Sequence, residues 1–265
     1  MTRIIAIANQ KGGTGKTTST INLVAGLARR QQRTLLVDMD PQANATAVFL
    51  GVPFAAGPRQ PNINTVYELL VNQVAASQAL HRITLRPLTG DTIPATMDIL
   101  PAHLDLASAE LELVNAFERE RRLRQALEPI QRHYDFIVID CPPSLGLLTV
   151  NALMTATEVL IPVDTGVFPI IGLNLLRRTI QMVSQANIHL RIAGIIPTLT
   201  DRTALSRDTH EELATTFGEL LLPAIPRRVA IGEAHAAGLD IFAYDPQGDS
   251  RVAYGELVAE VIRRG

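Results

Sequence analysis

The stretch Arg3-Ile4-Ile5-Ala6-Ile7-Ala8-Asn9-Gln10-Lys11-Gly12-Gly13-Thr14-Gly15-Lys16-Thr17-Thr18 decides how this chain is read. Its first six residues form an apolar, β-branched run of the kind that fills a strand buried on both faces. Glycines then occupy positions 12, 13 and 15, and from Thr17 onward the pattern turns helical. In a strand, glycine-rich turn and helix, backbone N–H groups curl around an anion and the positive end of the helix faces it. Lys11 and Lys16 are also the only lysines in the 265 residues. An ordinary solvated turn gives no reason for that restriction.

A standard phosphate loop, G-x-x-x-x-G-K-[ST], would have its first glycine at position 10, where this chain has Gln10, and would not need the extra lysine at position 11. Gly15-Lys16-Thr17 keeps the working end: Lys16 is placed to reach β- and γ-phosphate oxygens, and the Thr17 hydroxyl to ligate Mg2+. Lys11 is the informative departure. A second cation is unfavourable in an empty site and useful only where several negative charges converge, as on a triphosphate near its transition state.

Lys11 to Thr17, continued by Thr18, resembles the deviant Walker A motif of the ParA/MinD family of ATPases, nearest to its ParA (Soj-like) partitioning members. The resemblance implies ATP and Mg2+ as cofactors and a Lys11 that reaches across a dimer interface to the partner's nucleotide. Lys11, Gly12, Gly13, Thr14, Gly15, Lys16, Thr17 and Thr18 then form the phosphate-binding set, with Lys11 and Lys16 catalytic.

Leu35-Leu36-Val37-Asp38-Met39-Asp40-Pro41-Gln42-Ala43-Asn44-Ala45-Thr46 closes a second strand with two carboxylates and an amide-rich turn. It is similar to the family's D-x-D-P-Q-x-N switch I, which implies that Asp40 positions and polarises the attacking water; Asp38 is assigned to the metal's water shell. The alternative for both is turn capping. Phe136-Ile137-Val138-Ile139-Asp140 is an apolar strand ending in an acid, the Walker B form, whose carboxylate would hold Mg2+ directly or through water. Cys141-Pro142-Pro143-Ser144-Leu145 resembles switch II, with Cys141 a small packing residue at a variable position. The expected metal set is therefore Thr17, Asp38 and Asp140. The likeness continues through Asn151-Ala152-Leu153, the apolar run 159–163 and Ala224-Ile225-Pro226-Arg227-Arg228-Val229, and so covers nearly the whole chain. By position, Thr198 and Pro226 are candidates to flank the adenine.

Composition bounds the rest. Hydrophobic residues make up 47% and charged residues 19%, the balance of a globular core, and residues 1–265 are read as one ATPase domain. A lone cysteine excludes an internal disulfide framework, no Cys/His spacing marks a zinc site, and a reducing cytoplasm fits. No signal precedes the first strand, and no apolar stretch approaches the roughly 18 uninterrupted residues of a membrane span. Strand-like runs at 3–8, 34–38, 136–140, 159–163 and 192–197 alternate with helical patterns. That alternation predicts a doubly wound, mostly parallel α/β sheet with helices on both faces and ligands at the strands' C-terminal edge. Between residues 51 and 99, Pro53, Gly57, Pro58, Pro61, Pro87, Gly90 and Pro94 break the pattern into an embellished connection with a short helix at 65–70. The spacing of Leu111, Val114, Leu123 and Leu127 predicts one helix over 108–130, with residues 118–122 its solvated face.

A formal net charge of −2 argues against coating nucleic acid by charge alone, so DNA binding needs a local arginine patch. Family members that bind DNA non-specifically use basic residues toward the C-terminal part of the dimer. The candidates here are Arg202, Arg207, Arg227, Arg228 and Arg251, although a familiar I-P-R-N-V-R run reads Ile225-Pro226-Arg227-Arg228-Val229-Ala230. Residues 250–265 carry an apolar stripe of Val252, Leu257, Val258, Val261 and Ile262 with mixed charge elsewhere, which predicts packing on the sheet rather than a membrane-surface helix. With the phosphate loop starting at residue 11, no room is expected for a preceding sequence-specific DNA-reading domain. The resemblance implies a homodimer on ATP, non-specific nucleoid DNA as a partner, and an adaptor resembling ParB that stimulates hydrolysis. A MinD-like membrane ATPase and a nucleotide-gated protein scaffold are the alternatives.

Overall fold

The computed structural model describes residues 1–59, 63–90, 92–166 and 169–265, and the side chains of 169–172 are not among them; Pro61 lies outside the described residues. Among the described residues seven strands are formed: β1 (Arg3–Ile7), β2 (Thr34–Asp38), β3 (His81–Thr84), β4 (Thr96–Leu100), β5 (Phe136–Asp140), β6 (Glu158–Asp164) and β7 (Arg191–Thr198). The helices are α1 (Lys16–Arg29), α2 (Asn44–Leu50), α3 (Val52–Ala56), α4 (Val66–Leu70), α5 (Leu106–Glu112), α6 (Arg122–Leu127), α7 (Leu147–Thr155), α8 (Pro169–Ser184), α9 (Ala204–Phe217), α10 (Val229–Ala236), α11 (Ile241–Tyr244) and α12 (Asp249–Arg263).

One sheet runs in the order β3-β4-β2-β5-β1-β6-β7, and every pairing is parallel except β3 with β4. Strand alternation divides the core in two. Ile4, Ala6, Leu35, Val37, Ile137 and Ile139 pack on one face with helices α4 to α8, while Ile5, Ile7, Leu36, Phe136 and Val138 pack on the other with α1 and α10 to α12. Burying both faces explains why β1, β2 and β5 read as unbroken apolar runs. Register places Asp140 beside Ile7 on one side and Asp38 on the other, so three loops leave the sheet from one row.

Three expectations are corrected. The connection between 51 and 99 holds two strands: β3 is an edge strand exposed on alternate residues, and the Asp98 carboxylate of β4 is occupied by Arg82 and the Tyr134 hydroxyl. The helix expected over 108–130 is two short helices, because Glu118 adopts a left-handed φ of 52° and the turn 119–121 packs on α7. Asn151 fixes that break, accepting from the Leu123 N–H and donating to the Arg119 carbonyl, so residues 118–122 are not simply a solvated face. Finally, Val252 of the expected stripe on α12 faces solvent, being 50% exposed, while Leu257, Val258 and Val261 are buried with α1 and with sheet residues such as Ile5 and Ile7. The short helix at 65–70 is present, with Thr65 and Glu68 forming a capping box.

Candidate functional site

The loop after β1 has the shape its glycines predict. Gly13 and Gly15 take φ of 74° and 79°, in the left-handed region where a side chain is strained, and no atom lies within 4 Å of where a Cβ on Gly12 or Gly13 would stand. Helix α1 begins at Lys16 with no side chain capping it, which leaves the first-turn N–H groups to a ligand. The loop is held from both sides: Asn9 donates to Pro162 O of β6 and accepts from the Lys11 N–H, while the Thr198 hydroxyl of β7 donates to Thr14 O. Lys16 is 6% exposed, and its Nζ donates to Lys11 O at 3.0 Å. Burial pulls its pKa down, opposed by the charges of Asp140 and Asp40.

Asp140 and Asp40 lie near this ammonium, and Asp38 stands beside Asp140. Asp140, fully buried, accepts from the Thr20 hydroxyl through Oδ1, while its buried Oδ2 has no hydrogen-bond partner. An orphaned carboxylate oxygen beside Thr17 and a lysine is what a hard cation would complete, since Mg2+ takes one or two carboxylates and fills the remaining positions with water and phosphate oxygens. Asp38 is equally buried, and its Oδ2 accepts from both the N–H and the hydroxyl of Thr46 while Oδ1 accepts from the Asp40 N–H. It therefore braces the turn toward α2 and charges the pocket at the same time. Asp40 is 6% exposed and accepts from the Gln42 N–H, at the start of a turn in which Ala43 is held at a φ of 51°.

Burial pushes the Asp38 carboxyl from an ordinary 3.8 up to about 6, with the Thr46 bonds opposing it. Asp140 is pushed well up, chiefly by burial and then by the charge of Asp38. Between the ordinary 3.8 and about 6 Asp38 in the folded protein holds a proton that the unfolded chain has released, so the nucleotide-free protein loses stability as pH rises across that interval, and Asp140, shifted in the same direction, adds to the loss. Asp140→Asn is accordingly expected to raise the Tm of the nucleotide-free protein at pH 8 by roughly 3–6 °C, and to flatten the fall in Tm between pH 5 and 8. Differential scanning calorimetry without nucleotide or metal checks both.

A family model described as an AAA domain matches residues 2–192. Over 99% of its length the chain is 43% identical to the chromosome partitioning protein ParA of Myxococcus xanthus, 88% of which it covers. It is 41% identical to the sporulation initiation inhibitor protein Soj of Bacillus subtilis, with 100% of each chain covered. This chain belongs to the ParA/Soj family of ATPases. A Mycobacterium smegmatis structure, named cobyrinic acid a,c-diamide synthase and holding an ATP analogue and magnesium, superposes with a TM-score of 0.80 at 35% identity, covering 99% of this chain and 95% of that one. A plasmid partition protein from Borrelia burgdorferi shares the fold, with a TM-score of 0.76 at 24% identity over 100% of this chain and 99% of its own.

For a ParA/Soj chain the remaining expected residues fall as follows. Lys11 is exposed and its Nζ bonds Asp164, at the end of β6, at 2.8 Å. Thr198 lies against Gly15 and its hydroxyl is used within the loop, while Pro226 pairs beside Thr200 just past β7. Arg202, Arg207, Arg227, Arg228 and Arg251 are all exposed. The fold draws Arg202, Arg207, Arg227 and Arg228 together around the loop after β7 and the segment 226–228, and Arg251 lies in the first turn of α12. Arg227 donates its N–H to Thr200 O, Arg207 bonds Arg202 O, and Arg228 bonds Asp249, whose carboxyl Arg228 and Arg202 hold low. Sequence reading missed Thr20, Asn9 and Asp164. Thr20 stands four residues after Lys16, on the helix face that looks back at the loop, a spacing that was available as a signal. Asp164 had none, being 153 residues from Lys11.

Proposed function

We propose that this chain is a partitioning ATPase in which ATP closes two subunits face to face and the closed dimer holds DNA without regard to sequence. Buried Lys16 beside the unpaired Asp140 oxygen, under a phosphate loop with a second, exposed lysine, is the observation that carries this reading. When bound, Mg2+ and ATP supply the phosphoryl group and the divalent charge on it. Lys16 gives up the Lys11 carbonyl and neutralises phosphate oxygens; Thr17 and Asp140 hold the metal, with Asp38 behind them. Asp40 orients the attacking water, and Lys11 extends to the partner's nucleotide. Thr198 and Pro226 flank the base. Catalysis is then positioning and electrostatics, with slow unaided turnover that an adaptor resembling ParB accelerates.

Support for DNA over a membrane comes from the two surfaces concerned. The apolar side of α12 is covered by α1, leaving Val252 exposed, and no helix among the described residues is long and apolar enough to cross a membrane. The arginines are exposed and grouped. In this reading the protein works in the cytoplasm on the nucleoid. The test is release of phosphate from ATP with and without Mg2+, run beside solution mass. Metal-dependent release together with an ATP-dependent doubling of mass is the expected result. Release without metal, or none from a protein that binds ATP, would contradict it.

A further inference from the structure

The Lys11 backbone is hydrogen-bonded at both its N–H and its carbonyl. Its N–H is held by Asn9, itself bonded to β6 through Pro162 O, and its carbonyl is held by Lys16. The Lys11 ammonium donates to both oxygens of Asp164, at 3.0 and 2.8 Å. Asp164 closes β6 opposite Thr198, the residue that braces the phosphate loop. Among the described residues, Lys11 is the one side chain that hydrogen-bonds this carboxylate. The lysine side chain is 47% exposed and the aspartate 20%, so the contact lies at the mouth of the site and not in the core.

We propose that Asp164 is the resident counter-ion of Lys11, an intrasubunit latch that keeps the ammonium at home and sets the threshold for closing the dimer. This rests on the sandwich-dimer reading above. An ammonium extended away to a partner's phosphates gives up the two bonds it makes to its own Asp164, so closure breaks the pair. Lys16, on taking up phosphate, releases the Lys11 carbonyl and loosens the same arm from the other side. An exposed pair of this kind holds with at most a several-fold preference. Two latches open in a symmetric dimer, however, so the preference enters squared.

Asp164→Asn is expected to lower the dimer dissociation constant, measured by mass against protein concentration with a non-hydrolysed ATP analogue and Mg2+, by about 2- to 30-fold. Asp164→Ser serves if the asparagine form folds poorly. The route is read independently, because a chain with two lysines gives two lysine side-chain resonances under selective labelling. In the nucleotide-free protein Asp164→Asn should move the Lys11 resonance, assigned with Lys11→Arg, and leave that of Lys16 in place. An unchanged or weakened dimer, or a Lys11 resonance indifferent to Asp164→Asn, overturns the latch. A wild-type protein that stays monomeric with the analogue bound overturns the dimer reading itself, and that result is seen without any variant.

Discussion

An Asp40→Ala protein is expected to bind ATP and reach the same nucleotide-dependent mass as the wild type while hydrolysing about 10²–10³-fold more slowly in single turnover. Asp40 stands at the right place for so selective a loss. It is nearly buried, follows the Asp38 that braces the turn, and lies close enough to Lys16 for its charge to oppose the fall in the lysine's pKa. It is not the residue with the orphaned oxygen; that is Asp140. On the proposed roles, losing Asp40 removes the group that orients the water and leaves Lys16 and Asp140 standing. Its Oδ1 also accepts the Gln42 N–H, so Asp40→Asn, which keeps an acceptor there, separates the two roles. If the asparagine variant is as slow as the alanine one, charge on the water is what was lost. If it recovers most of the rate, Asp40 acts by shaping the turn.

Arg227→Glu with Arg228→Glu is expected to weaken DNA binding by the ATP-bound protein at least about 100-fold at low salt. In a symmetric dimer four phosphate contacts disappear, so the slope of log affinity against log salt should become shallower by about 3 to 4. Both side chains are exposed, and surface substitutions of this sort normally change stability by less than about 0.5 kcal/mol, so the folded dimer should persist. Arg228 already bonds Asp249, and a glutamate there would face that acid. Arg228→Ala with Arg227→Ala removes that repulsion and should still show a shallower slope. An unchanged slope would mean that DNA lies elsewhere on the dimer.

What could be read before the fold was known follows a physical rule. β1, β2 and β5 are buried on both faces, so burial alone writes their sequences, and their loops carry glycines and buried charged residues that packing does not call for. The strands β3 and β4 escaped because what stabilises them is tertiary: Asp98 sits inside a strand only because Arg82 and Tyr134 occupy its oxygens. The break at Glu118 escaped because the apolar spacing runs on across it. Leu111 and Val114 carry that spacing yet lie 77% and 50% exposed, and the residue that fixes the break, Asn151, comes from α7. At the site itself, local motifs singled out Lys16, Thr17 and Asp140, which the fold brings together. The partner of Lys11 was not, since nothing near residue 164 in sequence says that β6 ends beside the loop after β1.

The most direct test is a titration of unrelated DNA fragments with the purified protein in three states, nucleotide-free, with ADP and with Mg2+ and ATP, at low and moderate salt with mass followed in parallel. Binding confined to the ATP state, appearing together with the dimer, indifferent to fragment sequence and steeply weakened by salt, is the predicted result. A dimer that forms with ATP and ignores DNA, or DNA binding of equal strength in all three states, would contradict it.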